Sequence, residues 1–163
     1  MANSLFEQLK ATVGRELVFV APDEVGRSAF RQYALAVGDF NPLYTDGEHA
    51  SSHGLRDVMA PPTLICDTWQ YVDSDMDARG DLKGRGQFGE LTGLRAGNEY
   101  EFFQPVHPDD VITARWVVKD VYERTGRSGS LVFQVIEATY RNQRGEFLAR
   151  NTETLFYREE LGQ

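Results

Sequence analysis

Gly38-Asp39-Phe40-Asn41-Pro42-Leu43-Tyr44-Thr45-Asp46 and, further on, Met59-Ala60-Pro61-Pro62-Thr63 are the stretches on which the reading of this sequence turns. In the first, Asn41-Pro42 is turn chemistry. An asparagine side chain bonds backbone amides two residues on, and proline presets φ for the turn. Asp39 places a carboxylate at the head of that turn. In the second, Pro61-Pro62 opens a helix, because a first helical turn has no intrahelical use for an N–H. Leu64, Ile65, Thr68, Trp69 and Val72 then recur on one face. The polar stretch from Asp73 to Gly86, with Gly80, Gly84 and Gly86, ends the helix.

Upstream, Leu17 to Val20 is a short apolar run that reads as a strand. Val25, Ala29, Phe30, Tyr33, Ala36 and Val37 follow at helical spacing, with Asp23 as the expected N-cap and Gly38 as the stop. Asp46 to Ser52 reads as a short helical turn. Downstream the period changes to two. Asn98 to Val106 places Tyr100, Phe102 and Val106 on one face, and Val111 to Tyr122 alternates Ile112, Ala114, Trp116 and Val118 with polar residues. Leu131 to Arg141 and Phe147 to Tyr157 are further strands, joined by a hairpin-like turn at Asn142-Gln143-Arg144-Gly145. One early strand, two helices and a run of antiparallel strands make an α+β domain.

The chain has 163 residues, enough for one core, and no repeat or linker divides it, so a single domain over 1–163 with a core at roughly 14–158 is expected. A net charge of −8 gives no basic surface for nucleic acid phosphates or anionic lipid. Cys66 is the one cysteine, so an internal disulfide is excluded. Met1 to Leu9 carries no long apolar run, and a cytoplasmic protein without a membrane span is expected.

The sequences GDFNPLYTD (Gly38 to Asp46), MAPPT (Met59 to Thr63) and NEYEFFQPVHPDD (Asn98 to Asp110) together resemble the MaoC-like dehydratase family, in particular its N-terminal, FAS1-like dehydratase half-domain. The resemblance implies a hot-dog fold, a curved antiparallel sheet wrapped around the Pro62-to-Val72 helix. It also implies a subunit of an (R)-specific enoyl-thioester hydratase or 3-hydroxyacyl-thioester dehydratase. Its substrate would be an acyl-CoA or acyl-carrier-protein thioester, with no cofactor and no metal. Catalytic members resemble one another in an Asp-x4-His pair and in backbone N–H groups at the start of the central helix. Asp39 matches the aspartate, whereas Tyr44 stands where the histidine is expected. An ordinary tyrosine pKa lies near 10 against about 6.5 for histidine, so Tyr44 donates a hydrogen bond more readily than it removes a proton. Pro61 and Pro62 stand where catalytic members have His-Gly, and proline supplies no N–H. Both departures point to the substrate-holding half of a pair of hot-dog units. The candidate catalytic residue is Asp39, and Asn41, Tyr44, Pro62 and Thr63 are the candidate substrate contacts.

Simpler readings stand beside these. Asp39 and Asn41 serve equally as turn residues, and Tyr44 as a packing residue. His49 and His53 have the i, i+4 spacing of metal ligands but no third ligand. His53 is also a candidate to reach the cleft as a base. His107, before Pro108, is expected in an exposed turn. Arg79, Lys83, Arg85 and Arg95 form either a solvated face or a contact for coenzyme A phosphates or carrier-protein carboxylates. The competing functions are a homodimeric hydratase or dehydratase that uses Asp39, a non-catalytic acyl-thioester binding protein, and a hot-dog thioesterase.

Overall fold

In the computed structural model, residues 4–67, 93–126 and 129–158 are described. The elements run α1 (Leu5–Lys10), β1 (Glu16–Val20), α2 (Arg27–Val37), a 3-10 turn (Pro42–Tyr44), α3 (Gly47–Ser52), α4 (Leu64–Asp67), β2 (Leu94–Phe102), β3 (Ile112–Gly126), β4 (Gly129–Asn142) and β5 (Phe147–Arg158). The strands form one antiparallel sheet in the order β1-β3-β4-β5-β2. Register shifts between Val118 and Asp120, Arg95 and Gly97, and Tyr140 and Arg141 each insert a residue. Such bulges bend a strand and increase its twist.

The period-two pattern on β4 decides which face turns inward. Val132, Gln134, Ile136, Ala138 and Tyr140 are buried and their neighbours are only partly covered. Leu64 and Ile65 of α4, 2% and 1% exposed, join Phe30 of α2, Ala50 of α3, Tyr140, Leu148 and Ala149 in one core. The sheet thus curls around the start of the central helix, as the hot-dog architecture requires. The expected positions of Thr68, Trp69 and Val72 lie outside the described residues. No helix among the described residues is long and apolar enough to cross a membrane.

Several boundaries differ from expectation. The helix expected from Asp23 starts at Arg27, and its N-cap is Gly26 at φ 78°. The cause is tertiary: the N–H groups of Val25 and Gly26 donate to the carbonyls of Asp110 and Pro108, which holds the chain out of the helix. β2 begins at Leu94, opposite Phe156 of β5, and ends at Phe102, so Val106 lies past the strand. There the Val106 carbonyl accepts the N–H of Ala60, 2.8 Å away. The α1 helix was not expected. Ser4 caps it, and Leu5 and Leu9, one turn apart, pack on Val118, Val121, Val132 and Ile136 at the other end of the sheet's inner face.

Candidate functional site

Helix α2 delivers the candidate carboxylate. It stops where the sequence places Gly38, whose left-handed φ of 73° is free of strain only for glycine. The N–H of Asp39 then donates to the carbonyl of Ala34 at 3.0 Å, closing the helix end. From there two side chains fold the loop. One Asp39 oxygen accepts the Asn41 N–H at 3.2 Å, and the Asn41 side-chain oxygen accepts the Leu43 N–H at 3.0 Å, capping the Pro42–Tyr44 turn. That turn brings Tyr44 back beneath Asp39. The Tyr44 hydroxyl donates to the second Asp39 oxygen at 3.0 Å. Tyr44 is 6% exposed, whereas Asp39 and Asn41 are open to solvent.

Burial, reinforced by the hydrogen bond to Asp39 and its negative charge, pushes the Tyr44 phenol above its ordinary pKa. A group near 10 that is raised further stays protonated at neutral pH. Tyr44 therefore acts as a fixed donor to Asp39 and supplies no base. Asp39 is a carboxylate preset by two donors, able to orient or accept a proton from a bound hydroxyl or water.

The second motif lies alongside. The Met59 N–H donates to the Leu43 carbonyl at 3.0 Å, tying the Asp39–Tyr44 loop to the segment that enters α4. Pro61 is buried and Pro62 exposed. Thr63 is half-buried, and its hydroxyl shares a 2.8 Å hydrogen bond with the Tyr33 hydroxyl of α2. Sequence reading placed Tyr33 on an apolar stripe. Its helical phase revealed the face it occupies, but the phenol's partner depends on the approach of a distant segment. Asp39, Asn41 and Tyr44 are thus brought together by direct hydrogen bonds, and Thr63 joins them through the tie at Met59 and the contact with α2.

Elsewhere the histidines divide. His49 and His53 stand side by side on α3, with ring centroids 4.3 Å apart, and the His53 ring bonds the His49 carbonyl. Among the described residues no group of three side chains is arranged to hold a metal. His107 corrects the expectation of an exposed turn: it is 6% exposed, and its Nδ1 lies 3.0 Å from the Val58 carbonyl. A carbonyl accepts only, so Nδ1 carries the proton. Arg95 pairs with Glu153 at 2.7 Å, while Arg79, Lys83 and Arg85 lie outside the described residues.

Residues 11–151 match the model of the FAS1-like dehydratase domain region. The chain belongs to this family. Among its relatives, a UPF0336 protein of Streptomyces coelicolor is 52% identical over 56 residues, 34% of this chain and 37% of the relative. A protein of Thermomonospora curvata named "probable enoyl-CoA hydratase alpha subunit" is 31% identical over 155 residues, 88% of this chain and 48% of the relative. These alignments span less than half the length of either relative. In fold, this chain is similar to a chain of the ChsH1–ChsH2 complex of Mycobacterium tuberculosis, with a TM-score of 0.73, 19% identity, and coverage of 97% of this chain and 91% of that one.

Proposed function

We propose that this chain is the substrate-holding subunit of an (R)-specific enoyl-thioester hydratase or 3-hydroxyacyl-thioester dehydratase, working beside a second hot-dog chain that carries the Asp-x4-His pair. The observation that carries the reading is the hydrogen bond from Tyr44 to Asp39. The family's acid–base loop is folded and its carboxylate is oriented, yet its second member is a phenol that keeps its proton. Hydration needs one group to move a proton at the α-carbon and another to handle the water at the β-carbon. Asp39 serves for only one of these. The prolines at 61 and 62 weaken the other requirement, stabilisation of the enolate-like oxygen, by removing N–H donors.

The reading covers 1–163 as one hot-dog domain, in the cytoplasm, with Asn41, Tyr44, Pro62 and Thr63 bordering an acyl-CoA or acyl-carrier-protein thioester. No cofactor enters the chemistry. The partner is a second hot-dog subunit. Support comes from β2, at one edge of the sheet, where Leu94 and Phe102 are 61% and 46% exposed. A strand at a sheet edge is a template for pairing with a second chain. The exposure of Asp39 favours a second reading, a homodimer that hydrates slowly with Asp39 alone.

Hydration of crotonyl-CoA and longer enoyl thioesters, measured with the chain alone and with an Asp-x4-His hot-dog partner, separates these. Turnover only in the mixture is expected. Slow turnover by the chain alone, not raised by the partner and abolished in Asp39→Asn, would replace the first reading by the second.

A further inference from the structure

Among the described residues, the helices cover one face of the sheet. Helix α1 packs on Val118 and Ile136, and α2, α3 and α4 join the core that holds Ala138 and Tyr140. On the other face the strand register draws one apolar row across four strands. Tyr122 of β3 lies opposite Phe133 of β4, Phe133 opposite Phe156 of β5, and Phe156 opposite Leu94 of β2. Val121, Val132 and Tyr157, each one residue along, are buried in the core, so the alternation of a strand turns the row outward. The Tyr122 and Phe133 rings stack with centroids 5.1 Å apart, Phe133 and Phe156 are 6.3 Å apart, and Leu94 is 61% exposed. We propose that this outer face is an interface between two copies of the chain, packed sheet on sheet about a twofold axis that runs along the row. This surface is separate from the edge of β2, and the inference does not rest on the thioester reading.

Two observations select a second copy as the occupant. The first is charge complementarity of the face with itself. Arg124 and Asp120 flank the row on opposite sides, each two residues from Tyr122 along β3. A twofold axis along the row turns every strand end for end, so Arg124 of one copy meets Asp120 of the other, and the contact forms twice. By the same operation Leu131 meets Val135, each two residues from Phe133 on β4. Both charges are available. The Arg124 guanidinium lies over the Tyr122 and Phe133 rings, 5.3 and 5.9 Å from their centroids, and pairs with no carboxylate among the described residues. Asp120 holds Lys10 at 3.2 Å, and its side chain is still 57% exposed. The second observation is area. Five strands about 4.8 Å apart, the longest running about 50 Å, give a face on the order of 1,000 Å². A standard interface needs about 800 Å² from each partner. Stacked aromatic rings with an arginine laid over them are also the composition that marks the centre of such an interface.

Sedimentation of the full chain at micromolar concentration tests the proposal. The unaltered chain is expected to associate. Arg124→Asp sets carboxylate against carboxylate at both symmetry-related contacts and should raise the dissociation constant at least about tenfold, halving the assembly. Asp120→Arg should do the same with the opposite sign. The double variant, which exchanges the two charges, should restore the unaltered assembly. Both positions are exposed, so the fold is kept, and far-UV circular dichroism checks this. Phe133→Glu, at the centre of the row, should abolish the association; where it fails to fold, the charge exchange decides. A monomeric unaltered chain would overturn the proposal. So would a folded double variant that stays apart, since the twofold placement requires rescue. An assembly that ignores Arg124→Asp and Asp120→Arg but is halved by Phe102→Asp would place the copies edge to edge at β2 and overturn it. Association only with a different hot-dog chain, blocked by the same outer-face changes, would give the face to that chain and overturn it as well.

Discussion

Two polar clusters flank the same segment, Val58 to Ala60, and they are built on opposite terms. On one side the Asp39–Tyr44 loop holds Met59 through the Leu43 carbonyl, and its carboxylate is open to solvent. On the other side His107 bonds the Val58 carbonyl, and Asp110 is fully buried. The Asp110 carboxylate accepts the His107 N–H at 2.8 Å and the Asn142 amide at 3.2 Å, and it meets the guanidinium groups of Arg144 and Arg56. A buried carboxylate with donors on both oxygens is a structural knot, since the buried His107 backbone N–H loses its acceptor when it goes. An exposed carboxylate that is nonetheless oriented by two donors costs little to keep and remains available to a ligand. The contrast points to a stabilising role for the Asp110 cluster, while the proposed function rests on the exposed Asp39 carboxylate.

Removing the knot should give the largest effect. Asp110→Ala strands the buried His107 backbone N–H and removes one acceptor each from the Asn142 amide, Arg56 and Arg144, which keep Glu146 and Asp109 as partners. A loss of about 1–3 kcal/mol follows for a buried donor left unsatisfied, and in a chain of this size the melting temperature should fall by roughly 5 °C. A thermal melt within 2 °C of the unaltered protein would erase the distinction between the clusters.

Tyr44→Phe should show the opposite signature. The lost hydrogen bond is worth about 1 kcal/mol, so the fold survives. Turnover of the assembled pair of subunits should nevertheless drop by tenfold or more, because Asp39 loses the donor that orients it. A melt and a steady-state assay on the same preparation compare the two quantities. Unchanged turnover would reduce the Asp39–Tyr44 bond to ordinary turn chemistry.

A smaller effect is expected from alkali. Burial and Asp39 raise the Tyr44 phenol, and burial and the charge of Glu153 raise that of Tyr157. A raised folded-state pKa contributes stability that is complete below the unfolded value, near 10, and is lost as pH rises through the folded value. Denaturant midpoints should therefore be flat from pH 8 to about 10 and then decline. Tyr44→Phe and Tyr157→Phe should each flatten part of that decline. A slope that neither substitution alters would show that other groups govern the alkaline limb.

The legible part of this structure was local. The Gly38 stop, the Asn41-Pro42 turn and the alternation on β3, β4 and β5 each follow from a few neighbouring residues and appear where the sequence places them, whereas the helix expected from Pro61-Pro62 starts at Leu64 and β2 lies upstream of its expected position. Asp39 next to Tyr44 was legible for the same reason, as five residues of turn can close only in a few ways. The misses have one origin. The start of α2 was displaced because Asp110 and Pro108 capture the N–H groups of Val25 and Gly26. His107 was expected in solvent, since a residue before proline in a polar run looks like a turn, yet Val58 buries it from far along the chain. Helix α1 escaped notice because six residues carry too little periodicity, and its stability comes from the inner face of the sheet beneath Leu5 and Leu9.

By itself, then, the sequence determined the α+β class, the family, the loop chemistry at Asp39 to Tyr44 and the absence of N–H groups at Pro61 and Pro62, since these depend on residue identity and short-range sterics. The tertiary structure alone decided that the Tyr44 ring is buried, that Thr63 answers to Tyr33, and that an apolar cavity opens beside Pro62. Those outcomes depend on which distant surfaces meet, and burial, which raises the Tyr44 phenol, exists only after they have met.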